Sequence, residues 1–161
     1  MTREIPLSRG LVALVDDADY DAIMAVGKWF ADPAPDTFYA SRKSSRRDGK
    51  QRTIRMHTFI TGWGYVDHID GNGLDNRRRN LRAATSSKNQ MNRGMDSDNT
   101  SGFKGVHRIR LRWAAQIGAD GRKIFLGSFA TPQEAARAYD AAAVLHHGEF
   151  ARLNFPEEIG A

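Results

Sequence analysis

The chain contains no cysteine in its 161 residues, which excludes disulfide staples and thiolate-bound zinc as devices for bracing a small fold. Any metal is left to His, Asn or carboxylate. Long apolar runs are also lacking. The short run Leu11 to Val15, with Glu4 upstream, has neither the length nor the flanks of a signal peptide or a membrane span, so a cytoplasmic protein without a membrane partner is expected. Proline is sparse at five residues. Two of these lie in Asp32-Pro33-Ala34-Pro35-Asp36, where lost donors and fixed φ predict a loop. Acidic charge falls short of basic, with 19 Asp and Glu against 24 Lys and Arg and a net charge of +5, which suits a polyanionic partner.

The basic residues are clustered. Arg42, Lys43, Arg46, Arg47, Lys50, Arg52 and Arg55 form one group, Arg77, Arg78, Arg79, Arg82, Lys88 and Arg93 a second, and Lys104, Arg108, Arg110, Arg112, Arg122 and Lys123 a third. Between them the chain reads as short elements. Gly10 to Val15 predicts a strand, and Asp16 to Tyr20, an acidic first turn, opens a short helix toward Gly27. Phe38 to Ala40 and Thr53 to Met56 predict two strands around a polar turn. Val66 to Asp70 ends a strand at the turn signal Asp70-Gly71-Asn72-Gly73. Leu81 to Ala84 returns, and Thr85 caps a helix reaching about Arg93.

This strand-strand-helix segment carries Asp67, His68, Asn80 and Asn89. It resembles the His-Asn-His (HNH) endonuclease family, in the phage-type subset whose third motif position is Asn, over about residues 54 to 93. The resemblance implies that Asp67 and Asn89 hold one divalent cation, Mg²⁺ or Mn²⁺, that His68 is the general base on a water, and that Asn80 orients His68. Oxygen ligands suit such a hard cation, and a neutral imidazole suits proton abstraction at pH 7. Adjacent strand residues point to opposite faces, so the strand is expected to twist or end at Asp67-His68. His57, expected on the strand entering the site, is either a structural histidine or a phosphate contact. Arg77, Arg78 and Arg79 are expected on the DNA backbone, or on a solvated turn.

Residues 94 to 102 read as a linker. Beyond them the chain predicts three strands, 104–110, 112–118 and 123–129, with Asp120-Gly121 as a hairpin turn. A helix follows with Thr131 as N-cap, Pro132 at N1, Glu134 closing a capping box and Gly148 past its end. The stretches Phe103-Lys104-Gly105-Val106, Trp113-Ala114-Ala115, Leu126-Gly127-Ser128-Phe129 and Leu153-Asn154-Phe155-Pro156 resemble the Apetala-two/ethylene-response-factor DNA-binding domain. That resemblance implies base contacts from Lys104, His107, Lys123 and Phe125, where the plant proteins carry Arg, Arg, Arg and Trp. Ile109 and Gly118 replace further arginines, for which Arg108, Arg110 and Arg112 are candidate substitutes. Trp113 is expected in the core, Phe125 in either environment, and His146 and His147 as cations at the helix end.

The expected architecture is α+β: a ββα-metal nuclease module over residues 1–93, the linker 94–102, and a three-stranded antiparallel sheet packed on one helix over 103–157. The expected function is site-directed, metal-dependent cleavage of duplex DNA by a monomer with no obligate protein partner. The setting would be a homing-like or phage-encoded one, in a phage or bacterial host cell. The alternative is a DNA-binding regulator or degenerate nuclease. An RNA-binding reading explains the charge but leaves the four motif residues without a role.

Overall fold

Alternating Ile5, Ala13 and Val15 turn one side of an N-terminal hairpin into a core, and its strands β1 (Thr2–Pro6) and β2 (Val12–Asp16) pair antiparallel. The computed structural model describes residues 1–45, 50–95 and 98–158; Arg46 and Arg47 of the first basic cluster, and Asp96 and Ser97 of the expected linker, lie outside the described residues. Helix α1 (Asp17–Ala25) follows with its acidic first turn. Strands β3 (Phe30–Pro33), β4 (Phe38–Lys43) and β5 (Thr53–Arg55) form an antiparallel sheet with β4 in the middle. Asp32 and Pro33 thus belong to a strand and not to the expected loop. A proline is tolerated there because β3 is an edge strand.

Met56 was expected to close a strand; instead it opens helix α2 (Met56–Thr61), which Gly62 ends in the left-handed conformation at φ 71°. Strands β6 (Val66–His68) and β7 (Leu81–Ala83) pair antiparallel, and helix α3 (Ser86–Met91) comes next in the chain. Ile5, Val15, Ile23, Trp29 and Met56 make the core of this half, with the Trp29 indole donating to the Ile23 carbonyl at 2.9 Å.

The second sheet comprises β8 (Val106–Ile109), β9 (Arg112–Ala119) and β10 (Arg122–Phe129) in the order β10-β9-β8, antiparallel throughout. Asp120 and Gly121 both take positive φ, 51° and 73°, as a two-residue hairpin turn requires. Helix α4 (Pro132–His147) starts with the full Thr131–Glu134 capping box and packs Ala135, Ala136, Tyr139 and Ala143 on the sheet. Alanines at these positions let helix and sheet approach closely. The architecture is α+β, and the contacts divide it into two compact units, Met1–Ser86 and Ser87–Ala161.

Candidate active site and candidate DNA interface

All three residues of β6 are buried, and the strand ends at His68. Asp67 lies opposite Arg82 in the β6–β7 ladder. The Arg82 guanidinium donates to Asp67 Oδ2 through Nε at 2.8 Å and Nη2 at 2.6 Å. His68 meets a different surface, its ring centroid 4.9 Å from that of His57 and 5.8 Å from that of Tyr39. Tyr39 also stands 5.5 Å from His57, and the Arg55 guanidinium lies 4.3 Å above the Tyr39 ring. His57 comes from the first turn of α2, not from the strand expected in the sequence, because the chain turns helical at Met56.

The turn after His68 is held by side chains. Asn80 donates through Nδ2 to Asp70 Oδ1 and to the Asp75 carbonyl, both at 2.9 Å, and accepts from the Asp70 amide at 3.1 Å. The expected orienting residue therefore acts on the backbone that carries His68. Asn76 is fully buried, and its backbone N–H donates to the Leu14 carbonyl at 2.8 Å, which straps the turn to β2. A Cβ at Gly73 would stand 2.5 Å from the Phe38 carbonyl and 2.7 Å from the Tyr39 ring, so only glycine lets the turn lie this close to Tyr39.

Burial pushes the His57 imidazole down to about 3, helped by its neighbours His68 and Arg55. Burial also lowers the His68 pKa, partly offset by the Asn76 side chain and the carboxylates of Asp70, Asp67 and Asp75. Both rings are neutral at pH 7, the state a general base requires. Between the ordinary value of 6.5 and about 3, unfolded His57 binds a proton that the folded one refuses. Stability is therefore complete above pH 6.5 and falls with pH by about 1.4 kcal/mol per unit in that window. Denaturant titrations of the protein at pH 7 and pH 5 should show this fall, and His57→Gln should remove its share of the slope, leaving the smaller fall due to His68.

The three consecutive arginines separate. Arg77 forms a two-point ion pair with Asp75 and holds that carboxyl below the usual range. Arg78 grips Asp19 through Nε at 2.9 Å and Nη2 at 2.7 Å, while its amide donates to Asp16. Both are struts within the unit. Arg79 is exposed and is hydrogen-bonded to none of the described residues. Asn89 lies half-buried on α3, in the second unit.

In the second unit the register puts His107, Ile109, Arg112, Gln116, Lys123 and Phe125 on the sheet face opposite α4. Phe125 is exposed there, which resolves its two expected environments. Arg112 donates to the Ser128 carbonyl at 2.8 Å and remains exposed. Arg108 lies on the other face, 5.6 Å from the ring of Trp113, which packs in the core cluster as expected. Lys104 donates through Nζ to the carbonyls of Met91 and Arg93 at 2.5 and 2.6 Å. Arg110 sits in the β8–β9 turn at φ 53°. His147 departs from its expected place as a helix-end cation: it is buried, and its Nε2 donates across to the Gly118 carbonyl at 2.8 Å.

The HNH endonuclease model matches residues 63–91, the segment that carries Asp67, His68, Asn80 and Asn89. Protein 3.8 of Escherichia phage T7 is 37% identical over 91 residues, which cover 55% of this chain and 74% of that protein. The chain belongs to the HNH endonuclease family. An uncharacterised HNH endonuclease of Acanthamoeba polyphaga mimivirus is 36% identical over 91 residues, 56% of this chain and 46% of that protein. The HNH segment is joined to an Apetala-two-like domain. Dehydration-responsive element-binding protein 2E of Arabidopsis thaliana is 40% identical over 96 residues, 52% of this chain. The match covers only 39% of the plant protein's length. Among the described residues no helix is long and apolar enough to cross a membrane.

Four residues around the HNH site escaped the sequence reading as site components: Tyr39, Arg55, Asn76 and Arg82. Arg82 had a signal, since pairing β6 with β7 about the Asp70–Gly73 turn sets it across from Asp67. Tyr39, Arg55 and Asn76 reach the site through tertiary packing and leave no local pattern.

Proposed function

We propose that this chain is a metal-dependent endonuclease that hydrolyses a phosphodiester bond of duplex DNA and is addressed to its target by the open sheet face of the second unit. The observation that carries the reading is the buried Asp67–His68 pair at the end of β6, with a neutral imidazole walled by Tyr39 and His57. Among the described residues no cluster of three or more His, Cys, Asp or Glu forms a closed metal cage. The donor chemistry instead fits a hard cation, Mg²⁺ or Mn²⁺, held by few protein oxygens and completed by water and phosphate. Asp67 would supply one oxygen; Asn89 as the second ligand comes from the resemblance alone. When bound, the cation would neutralise charge on the scissile phosphate and the leaving oxygen.

His68 takes a proton from water through its neutral ring as the water oxygen attacks phosphorus and the bond to the leaving oxygen breaks. Asn80 and Asn76 keep the following turn, and so the ring, in position. Arg79, free of the ties that hold Arg77 and Arg78, contacts backbone phosphate. Arg79→Ala is expected to reduce the slope of log affinity against log salt by about 0.9, the value of one phosphate contact. Arg78→Ala should leave that slope unchanged and lower stability. Equal slopes for wild type and Arg79→Ala would remove Arg79 from the interface.

One active site per chain favours a nick by a monomer, with no obligate protein partner. The family resemblance favours a homing-like or phage-encoded role in the cytoplasm of a bacterial host. A second reading, a DNA-binding regulator descended from a nuclease, is favoured by one observation: Arg82 engages the Asp67 oxygen that a cation would need. Supercoiled plasmid carrying DNA from the source genome, incubated with Mg²⁺, Mn²⁺ or EDTA, separates the two. Metal-dependent relaxation supports the nickase, linear product supports paired cuts, and tight binding without cleavage supports the regulator.

A further inference from the structure

The open face of the second sheet has an unusual chemical balance for a surface meant for DNA. Two of its side chains are exposed and apolar: Phe125 on β10 is 63% exposed and Ile109 on β8 is 43% exposed. Gln116 lies directly across the ladder from Phe125. Of the cations nearby, Arg112 is tied to Ser128, while Arg108 and Lys104 are engaged elsewhere in the unit. Lys123 is thus the one long cation among the six that keeps to this face without a described hydrogen bond.

A face that reads guanine needs bidentate donors such as arginine over O6 and N7. This face offers few. An exposed phenyl ring and an isoleucine side chain have no hydrogen-bonding groups for base edges, and the major groove has one apolar feature for them to cover, the C5 methyl of thymine. A glutamine amide matches adenine N6 and N7, so Gln116 beside Phe125 suits a step that contains A·T pairs. We infer that the second unit selects A·T-containing sites by covering thymine methyl groups with Phe125 and Ile109. Lys123 supplies affinity through phosphate without choosing the base. This inference rests on the DNA-binding reading above and narrows it to a base class.

The test leaves the protein intact. The full chain, in EDTA to prevent cleavage, is used to select sites from a randomised duplex pool, and the best site is then made with thymine or with uracil, which lacks the methyl group. The thymine duplex should bind more tightly by about fourfold for each covered methyl, from the transfer value of one buried methyl-sized group. Phe125→Ala should remove the share of that difference due to the methyl it covers, Phe125→Ala with Ile109→Ala should remove nearly all of it, and the exposure of both side chains means that no core contact is lost. Lys123→Ala should weaken both duplexes by the same factor. Equal affinity for thymine and uracil duplexes, or selection of a site without thymine under the protein, would overturn the inference while leaving DNA binding standing. Binding to no duplex at all would overturn both.

Discussion

Plasmid cleavage by His68→Ala is expected to fall by about 10² to 10⁴-fold, the range associated with loss of a positioned general base, while duplex affinity stays at the wild-type value. The expectation has three physical parts. The ring is buried between Tyr39 and His57, so alanine leaves a gap beside the reacting water but removes no charge from the DNA-facing surface. It is neutral at pH 7 because burial lowers its pKa, so the base form is already populated. The variant loses the Asn76 side-chain contact to the ring, but the Asn80 bonds and the Asn76 backbone bond to Leu14 do not pass through the His68 side chain, so the turn should persist. Retained cleavage with bound metal would assign the proton to another acceptor. A parallel loss of cleavage and binding would point to a misfolded site instead.

Gly105→Ala should strongly destabilise the second unit. A Cβ there would meet the Tyr139 ring at 2.0 and 2.3 Å and the Gln116 carbonyl at 2.7 Å, on a residue whose φ is already +74°. The Tyr139 ring cannot retreat without lifting α4 from the sheet, because Tyr139 is buried in the same cluster as Ile117 and Ala143. Overpacking alone typically costs about 1 to 3 kcal/mol, and a side chain at positive φ adds to it. Hydrogen exchange is the direct measurement. Amides of β9, β10 and α4 should lose protection while those of β1 and β2 keep theirs. Unchanged protection in β9 would mean that the loop can move aside and that the close approach is not essential.

These two variants touch residues of different legibility. His68 stood out because it follows Asp67 and precedes a strong turn signal. Gly105 lies in the Phe103-Lys104-Gly105-Val106 stretch of the family resemblance, but the reason for a glycine there, the tyrosine ring standing over it, is visible only in the folded unit. The same division runs through the rest of the molecule. The capping box of α4 and the Asp120-Gly121 turn involve residues within a few positions of one another, so local chemistry is enough to define them. Helix α2 spans six residues, too few to develop a helical period, and the pattern before it read as a strand running through Met56. β1 has no sequence signature for a related reason: its only buried residue is Ile5, so no alternation announces it.

By itself the sequence determined the α+β class, the three strands and capped helix of the second unit, the two family resemblances and the motif Asp67, His68, Asn80 and Asn89. All of these rest on residue types at short separations. Only the tertiary structure decided how the charged and polar groups divide between scaffold and site. Arg77 and Arg78 are struts while Arg79 is exposed; Asn80 holds a turn; Arg82 pairs with Asp67; Arg108 and Phe125 lie on opposite faces of one sheet. An arginine's chemistry is the same whether it braces a loop or meets a phosphate. Its role depends on which partner the fold brings within about 3 Å, and for Arg78 that partner, Asp19, is 59 residues away.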